Sequence, residues 1–378
     1  MVGRSHELFM RYDKLINPAA CLEMFKRLME PARNAPTGRT LRAVVLHGPR
    51  NLKLEYIPEL AVLPTQVRVD VRFCGLTASD VLLWSGEHRR LPEPGMVLGF
   101  EVSGAILEMG GLAHERTGYQ VGEEVVVHNY PICGGLAESC LAHYEDVFRL
   151  ARRVSLKDAV AFADDYFSAL LAIGRRARIR SGECLLVNAR HSPSALAAID
   201  LAVHVFGAKP IAVCSDARQA ELCSDLGAMV VFEDEDERCL LRKINGGRGV
   251  RVLIETEGGH ISGPYFREIA KSLEHDGLVA FLGYARDKRR SDLNLALSNY
   301  TVFAVAAEHY KLADPLVYRE TMQQLLDYRA ARTIHPRASA IFGLHRVDEA
   351  FDHYMVESGR KVLVDVKNCD RLTLCDKF

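Results

Sequence analysis

Residues 183–232 read ECLLVNARHSPSALAAIDLAVHVFGAKPIAVCSDARQAELCSDLGAMVVF. Within this stretch Glu183–Asn188, Pro210–Cys214 and Met229–Phe232 are apolar runs of the length of buried strands. Between them, Ala195–Phe206 and Ala217–Leu226 carry apolar residues at helical spacing. Strands that are apolar on both faces need cover on both faces, so strand and helix in alternation predict a doubly wound parallel α/β sheet. The alternation runs on through Val250–Ile254 (strand), Ser262–Leu273 (helix) and Gly277–Leu282 (strand). Upstream, Ser155 supplies a helix N-cap ahead of the apolar face Val160, Phe162 and Ala163.

Before Val154 the text is of another kind. Arg42–Leu46 and Gln66–Arg72 read as strands, the second by period-two alternation, and Val97–Leu107, Glu124–His128 and Leu136–Leu141 follow between Gly and Pro breaks. This is a mostly β unit over residues 41–154, and the α/β unit occupies 155–334. A helix near Asp348–Glu357 and a strand Lys361–Val366 close the chain, and residues 335–366 are expected to return to the first unit. The total of 378 residues suits two cores rather than one. Lys and Arg number 48 against 49 Asp and Glu, a net charge of −1, so no long-range pull on nucleic acid is expected. No apolar run is long enough to span a bilayer. The ten cysteines include no CxxC pair, which favours reduced thiols in a cytoplasmic protein. Residues 1–40 form an N-terminal extension, read as an accessory helix. The alternative is a mitochondrial presequence, against which Glu7, Asp13, Glu23 and Glu30 weigh.

Several local motifs fall in one family's order. Cys74-Gly-Leu-Thr-Ala-Ser-Asp80 resembles a CGxNxxD segment, and Pro94 to Gly104 resembles PxxxGxExxG with one extra residue. Gly122-Glu-Glu-Val125 is similar to GDRV, Asp165-Tyr-Phe-Ser-Ala169 to NYxTA, and Glu255-Thr-Glu-Gly-Gly259 to DTVGG. Gly277–Gly283 is similar to GRVVxIG and Glu357-Ser-Gly-Arg360 to ESGR. Across residues 41–366 the chain thus resembles the zinc-free, quinone-oxidoreductase-like branch of the medium-chain dehydrogenase/reductases. The resemblance implies a GroES-like β domain beside a Rossmann domain, with a cleft between them. It also implies hydride transfer from NADPH (NADH as the alternative) to a small-molecule quinone, enone or related carbonyl compound, by a homodimer or homotetramer.

Zinc members of the superfamily hold a catalytic ion with Cys, His and Cys. Thr77 stands at the first of these positions, Phe100 at the His, and the second Cys position falls near Asp164, so no zinc is expected. The phosphate turn, glycine-rich in the family, reads Asn188-Ala-Arg-His-Ser-Pro-Ser-Ala-Leu-Ala197. Ala189, Ser192, Pro193 and Ala195 replace glycines that would let backbone N–H groups approach a pyrophosphate. Either Asn188, Arg190, His191 and Ser192 hold the dinucleotide by other means, or the fold persists in a catalytically weak relative that serves as a binding or scaffold protein. At the end of the second strand, Ser215 and Arg218 suit the extra phosphate of NADPH, with Asp216 as a complication. Thr77, Gly283 and Lys361 are carried over as further cofactor contacts. Asp165 and Tyr166 are the catalytic candidates, Tyr166 as proton donor, with helix packing as the alternative for the tyrosine.

Overall fold

The computed structural model describes residues 35–88, 95–130, 132–189, 192–232, 247–256, 271–282, 299–356 and 359–375. Most of the N-terminal extension therefore lies outside the described residues, as do Arg190, His191, Gly283 and residues 262–270 of the expected helix.

In chain order the first elements are the hairpin β1 (Pro36–Gly48) and β2 (Asn51–Leu60), then β3 (Gln66–Gly75) and α1 (Ala78–Ser85). They continue with β4 (Met96–Val97), β5 (Glu101–Met109), α2 (Gly111–Thr117), β6 (Glu124–His128), β7 (Ser139–His143) and β8 (Val147–Arg149). Then α3 (Leu156–Leu170) leads into β9 (Cys184–Asn188), α4 (Pro193–His204), β10 (Lys209–Cys214), α5 (Ala217–Asp225) and β11 (Met229–Phe232). β12 (Val250–Glu255), β13 (Leu273–Leu282) and β14 (Thr301–Val305) precede α6 (Ala307–Ala313) and α7 (Pro315–Ala330). The chain ends in β15 (Ala338–Gly343), α8 (Val347–Val356), β16 (Lys361–Asp365) and β17 (Leu372–Leu374).

Two principal sheets organise the molecule. The six-stranded one runs β11-β10-β9-β12-β13-β14 with every pairing parallel. Its strand order reverses between β9 and β12, the crevice where such sheets take ligands. The eight-stranded one runs β17-β15-β16-β3-β5-β6-β8, with β7 also on β3. The closing strand β16 pairs antiparallel with β3, Leu363 opposite Gly75. Val67, Val69 and Val71 of β3 are wholly buried, as their alternation predicts. Arg68, on the face expected to meet solvent, is buried too, between Glu59, Glu108 and the Leu60 carbonyl.

Helix α3 packs between the sheets. Its Ser155 cap accepts from the Asp158 amide, and Phe162, Ala163 and Phe167 are wholly buried. Each buried phenyl ring is worth a few kcal/mol to the fold. Leu273, the last residue of the helix expected from Ser262, instead begins β13.

Candidate active site

Three adjacent strands bring the candidate residues together. Glu101, first in β5, lies opposite Gly75 of β3 on one side and His128 of β6 on the other. Lys361, first in β16, reaches the same point, since β16 runs beside β3. A methyl group at Gly75 would lie 2.9 Å from both Glu101 Oε2 and the Val160 carbonyl oxygen. Glycine is therefore required by close approach, and that approach lets α3 and the two charged side chains close on one another.

Lys361 Nζ stands 2.6 Å from Glu101 Oε2 and 3.1 Å from Asp165 Oδ2, and both Lys361 and Glu101 are fully enclosed. Burial disfavours the ammonium, but Asp165, Glu101 and Asp164 outweigh it and hold the lysine pKa well above its ordinary value. Burial pushes the Glu101 carboxyl up to about 7; Lys361 opposes the rise, while Asp164 and Asp165 add to it. The Asp164 amide donates to Glu101 Oε1, and the Asp164 carboxylate faces His128 Nε2 at 3.5 Å. Burial would raise the Asp164 pKa, but the hydrogen bond and charge of His128, with Lys361, bring it below the usual value. On its other side His128 Nδ1 lies 3.2 Å from the Tyr318 hydroxyl of α7, whose ring also packs on Phe148 and Phe167.

The residues expected from sequence are partly gathered here. Asp165 joins the cluster, its Oδ1 accepting from the Ser194 hydroxyl at 2.9 Å in the first turn of α4. Lys361 is present too, as a buried ion-pair partner of Glu101 and Asp165. Tyr166 is engaged elsewhere. Its hydroxyl donates to Asp200 Oδ2 at 2.6 Å and is buried, and burial together with the Asp200 charge raises its pKa well above the ordinary value. That hydroxyl is taken up by Asp200, as the packing alternative has it, while the residue lines one small cavity with Asp165 and Lys361. Thr77 is likewise engaged: buried, it caps α1 in a capping box with Asp80, donating from its hydroxyl at 2.8 Å and from its amide at 3.0 Å. Of the positions that hold catalytic zinc elsewhere, Thr77 is turned to this cap and Phe100 is a buried ring against Tyr130. Asp164 faces His128 near the Lys361 ammonium, so this donor set does not fit a cation.

At the crossover crevice, Asn188 Nδ2 donates to both oxygens of Glu255, at 3.0 and 3.1 Å, and its carbonyl accepts from the Thr256 hydroxyl at 2.9 Å. Asn188 thereby ties β9 to β12. The start of α4 is capped from within. Ser192 Oγ takes the Ser194 amide at 3.2 Å, the Ser192 carbonyl takes the Ala195 amide at 3.1 Å, and Pro193 has no N–H. Ala189 and Ala195, at glycine positions of the turn, are fully buried. Ser215 donates to Asp216, whose carboxylate caps α5, and Arg218 is exposed in the first turn of that helix. Asp165, Tyr166, Pro193, Leu196, Arg360 and Lys361 line a cavity of about 20 Å³, room for roughly one water molecule.

Two parts of the chain match models of known families: residues 63–162 the alcohol dehydrogenase GroES-like domain, and residues 195–328 the zinc-binding dehydrogenase domain. Quinone oxidoreductase-like protein 2 of Mus musculus is 32% identical over 322 residues, covering 84% of this chain and 89% of its own. The homologous protein of Nematostella vectensis is 27% identical, with 94% and 98% covered. Among solved structures, a probable oxidoreductase from Mycobacterium abscessus superimposes with a TM-score of 0.75 at 24% identity, covering 87% of this chain and 99% of its own. A mycobacterial protein complexed with NADPH does so with 0.76 at 20% identity, covering 86% and 100%. The fold and these matches define an oxidoreductase of the medium-chain dehydrogenase/reductase superfamily. Within it, the chain belongs to the quinone-oxidoreductase-like family.

Proposed function

We propose that the protein is an NADPH-dependent, zinc-independent reductase of quinones, enones or related small carbonyl compounds. The observation that carries this reading is the enclosed cluster of Lys361, Glu101 and Asp165. It sets a fixed positive charge beside Asp165, and Thr77 and Phe100 offer no zinc donors of the family kind. A site without a Lewis acid suits acceptors that are already electron-poor, for which positioning does most of the work.

The dinucleotide fits the described residues at its adenosine end, where Ser215 and exposed Arg218 at the edge of β10 suit an extra phosphate. The N-terminus of α4 would face its pyrophosphate and Asp165 its nicotinamide end. NADPH, when bound, supplies the hydride. Glu101, with its pKa near 7, retains a proton on its carboxyl for much of the time at neutral pH, and Lys361 keeps that carboxyl in place. The test is calorimetric titration with NADPH and NADH, alongside NADPH oxidation with a para-quinone and with an enone. NADPH should bind more tightly than NADH, and Arg218→Ala should narrow the gap. Equal affinities unchanged by the substitution would remove Arg218 from the reading.

A second reading is favoured by one observation, the internally capped start of α4, where the Ser194 and Ala195 amides are already engaged. In this reading the chain is a catalytically weak relative that acts as a binding or scaffold protein. Absence of both dinucleotide binding and turnover in the same assays would select it.

A further inference from the structure

Three side chains from two distant segments converge on one point, beside the small cavity that Asp165, Tyr166 and Lys361 line and that His335 also borders. Asp200 lies on α4 and His204 one turn on, the i and i+4 positions that share a helix face. His335 comes from the connection between α7 and β15, 135 residues away in sequence. His204 Nδ1 is 2.8 Å and His335 Nδ1 is 3.1 Å from the same oxygen, Asp200 Oδ1. The ligand-type atoms of all three residues lie within 4.8 Å of one another. The imidazole rings stand edge to face with centroids 4.7 Å apart.

The carboxylate is held for this role. Asp200 is wholly buried. Its other oxygen, Oδ2, accepts from the Tyr166 hydroxyl at 2.6 Å and the His335 amide at 2.5 Å. Oδ1 is thereby turned toward the two rings, which remain 34% and 44% exposed and open to solvent. Outer hydrogen bonds that orient a ligating carboxylate are the usual accompaniment of a metal site. His204 Nδ1 also lies 3.2 Å from the Asp200 carbonyl, within the same helical turn.

We propose that Asp200, His204 and His335 form a binding site for a divalent first-row transition-metal ion, zinc by preference, that fastens α4 to the chain segment leading into β15. Two imidazoles and a carboxylate with an open solvent side make a three-ligand set that zinc completes with water. Tetrahedral bonds of about 2.0–2.1 Å place ligand atoms roughly 3.3 Å apart, so the two Nδ1–Oδ1 distances need open by only a few tenths of an ångström. On binding, each neutral ring carries its proton on Nε2 and turns the Nδ1 lone pair to the ion, and a ring that was protonated releases that proton to solvent. The site stands whether or not the chain reduces quinones.

The test uses full-length, untagged protein stripped with a chelator and titrated calorimetrically with zinc chloride. At pH 7.5 one equivalent should bind and raise the melting temperature. His204→Gln and His335→Gln should each weaken binding at least tenfold, and the double variant should lose the thermal shift. At pH 5.5, where imidazoles take up protons, the affinity should fall at least tenfold. Cobalt(II) should give the visible absorption of a tetrahedral site in the unaltered protein only. Circular dichroism and metal-free melting close to those of the unaltered chain establish that the variants are folded. No saturable binding at pH 7.5 would overturn the proposal, as would one equivalent retained with full affinity in the folded double variant.

Discussion

Glu101 shows how one residue can make the molecule's stability depend on pH. Its carboxyl rises from an ordinary 4.5 to about 7, so between those values the folded protein binds more protons than the unfolded chain. Stability must then fall as pH climbs through that window and level off above it. A shift of this size corresponds to on the order of 3 kcal/mol, and the Lys361 equilibrium lies well above the window and leaves the sign unchanged. Glu101→Gln should lack this slope. Urea unfolding at pH 5, 6, 7 and 8 should therefore show the unaltered protein gaining on the variant toward acid. Parallel curves across that range would mean that the carboxylate stays ionised beside Lys361.

Among the elements, the start of α4 is where the proposed dinucleotide binding can be tested. Ser192→Gly, Pro193→Gly and Ala195→Gly together should strengthen NADPH binding. They remove three side chains, restore one N–H and free the Ser194 amide from the Ser192 hydroxyl. One recovered hydrogen bond to a charged group is worth roughly 1.5–3 kcal/mol, about tenfold or more in affinity. The cost is about 1 kcal/mol of stability per glycine introduced within the helix. Unchanged affinity in a folded triple variant would show that the turn does not limit binding.

Elements also differ in how openly the sequence announces them. β9, β10, β11 and β12 were legible because strands buried on both faces are continuous apolar runs. β2 was not: Leu54, Tyr56 and Leu60 alternate as in a strand but are exposed, and Pro58 lies in mid-strand. Helices α6 and α7 also escaped the coarse reading, although Asp314-Pro315, a cap followed by a first-turn proline, marks the start of α7. The cleft was half legible. Asp165 and Lys361 were found by motif. The burial of Lys361 depends on β16 pairing with β3, which no local pattern carries, and Tyr166 turns to Asp200 for reasons visible only in three dimensions. The convergence of His335 on α4 is equally non-local. Only the i, i+4 spacing of Asp200 and His204 was there to be read.

At the scale of the whole molecule, the two sheets are locked together by charge as well as by packing. Lys311 of α6 reaches Asp146 Oδ2 at 2.6 Å and the Tyr130 carbonyl at 2.6 Å, and Asp146 is 1% exposed. Burial pushes the Asp146 carboxyl upward against the pull of Lys311. Lys311→Met should leave a buried carboxylate without its cation and cost about 3–5 kcal/mol. Adding Asp146→Asn should recover part of that loss. The double variant measured against both single variants gives the coupling between the sheets. Strictly additive effects would show that the contact contributes nothing to holding them together.

The return of β16 to β3 has a consequence for the order of assembly. During synthesis the ribosome releases β3, β5 and β6 long before residues 361–365 exist, and until then the edge of β3 that β16 covers has no partner. The six-stranded sheet, whose strands all lie between residues 184 and 305, can complete itself first and present α3 as a platform. The first sheet to be made is thus the last to be finished. A chain ended before β15 would be released with that edge bare, a template for pairing with other nascent chains.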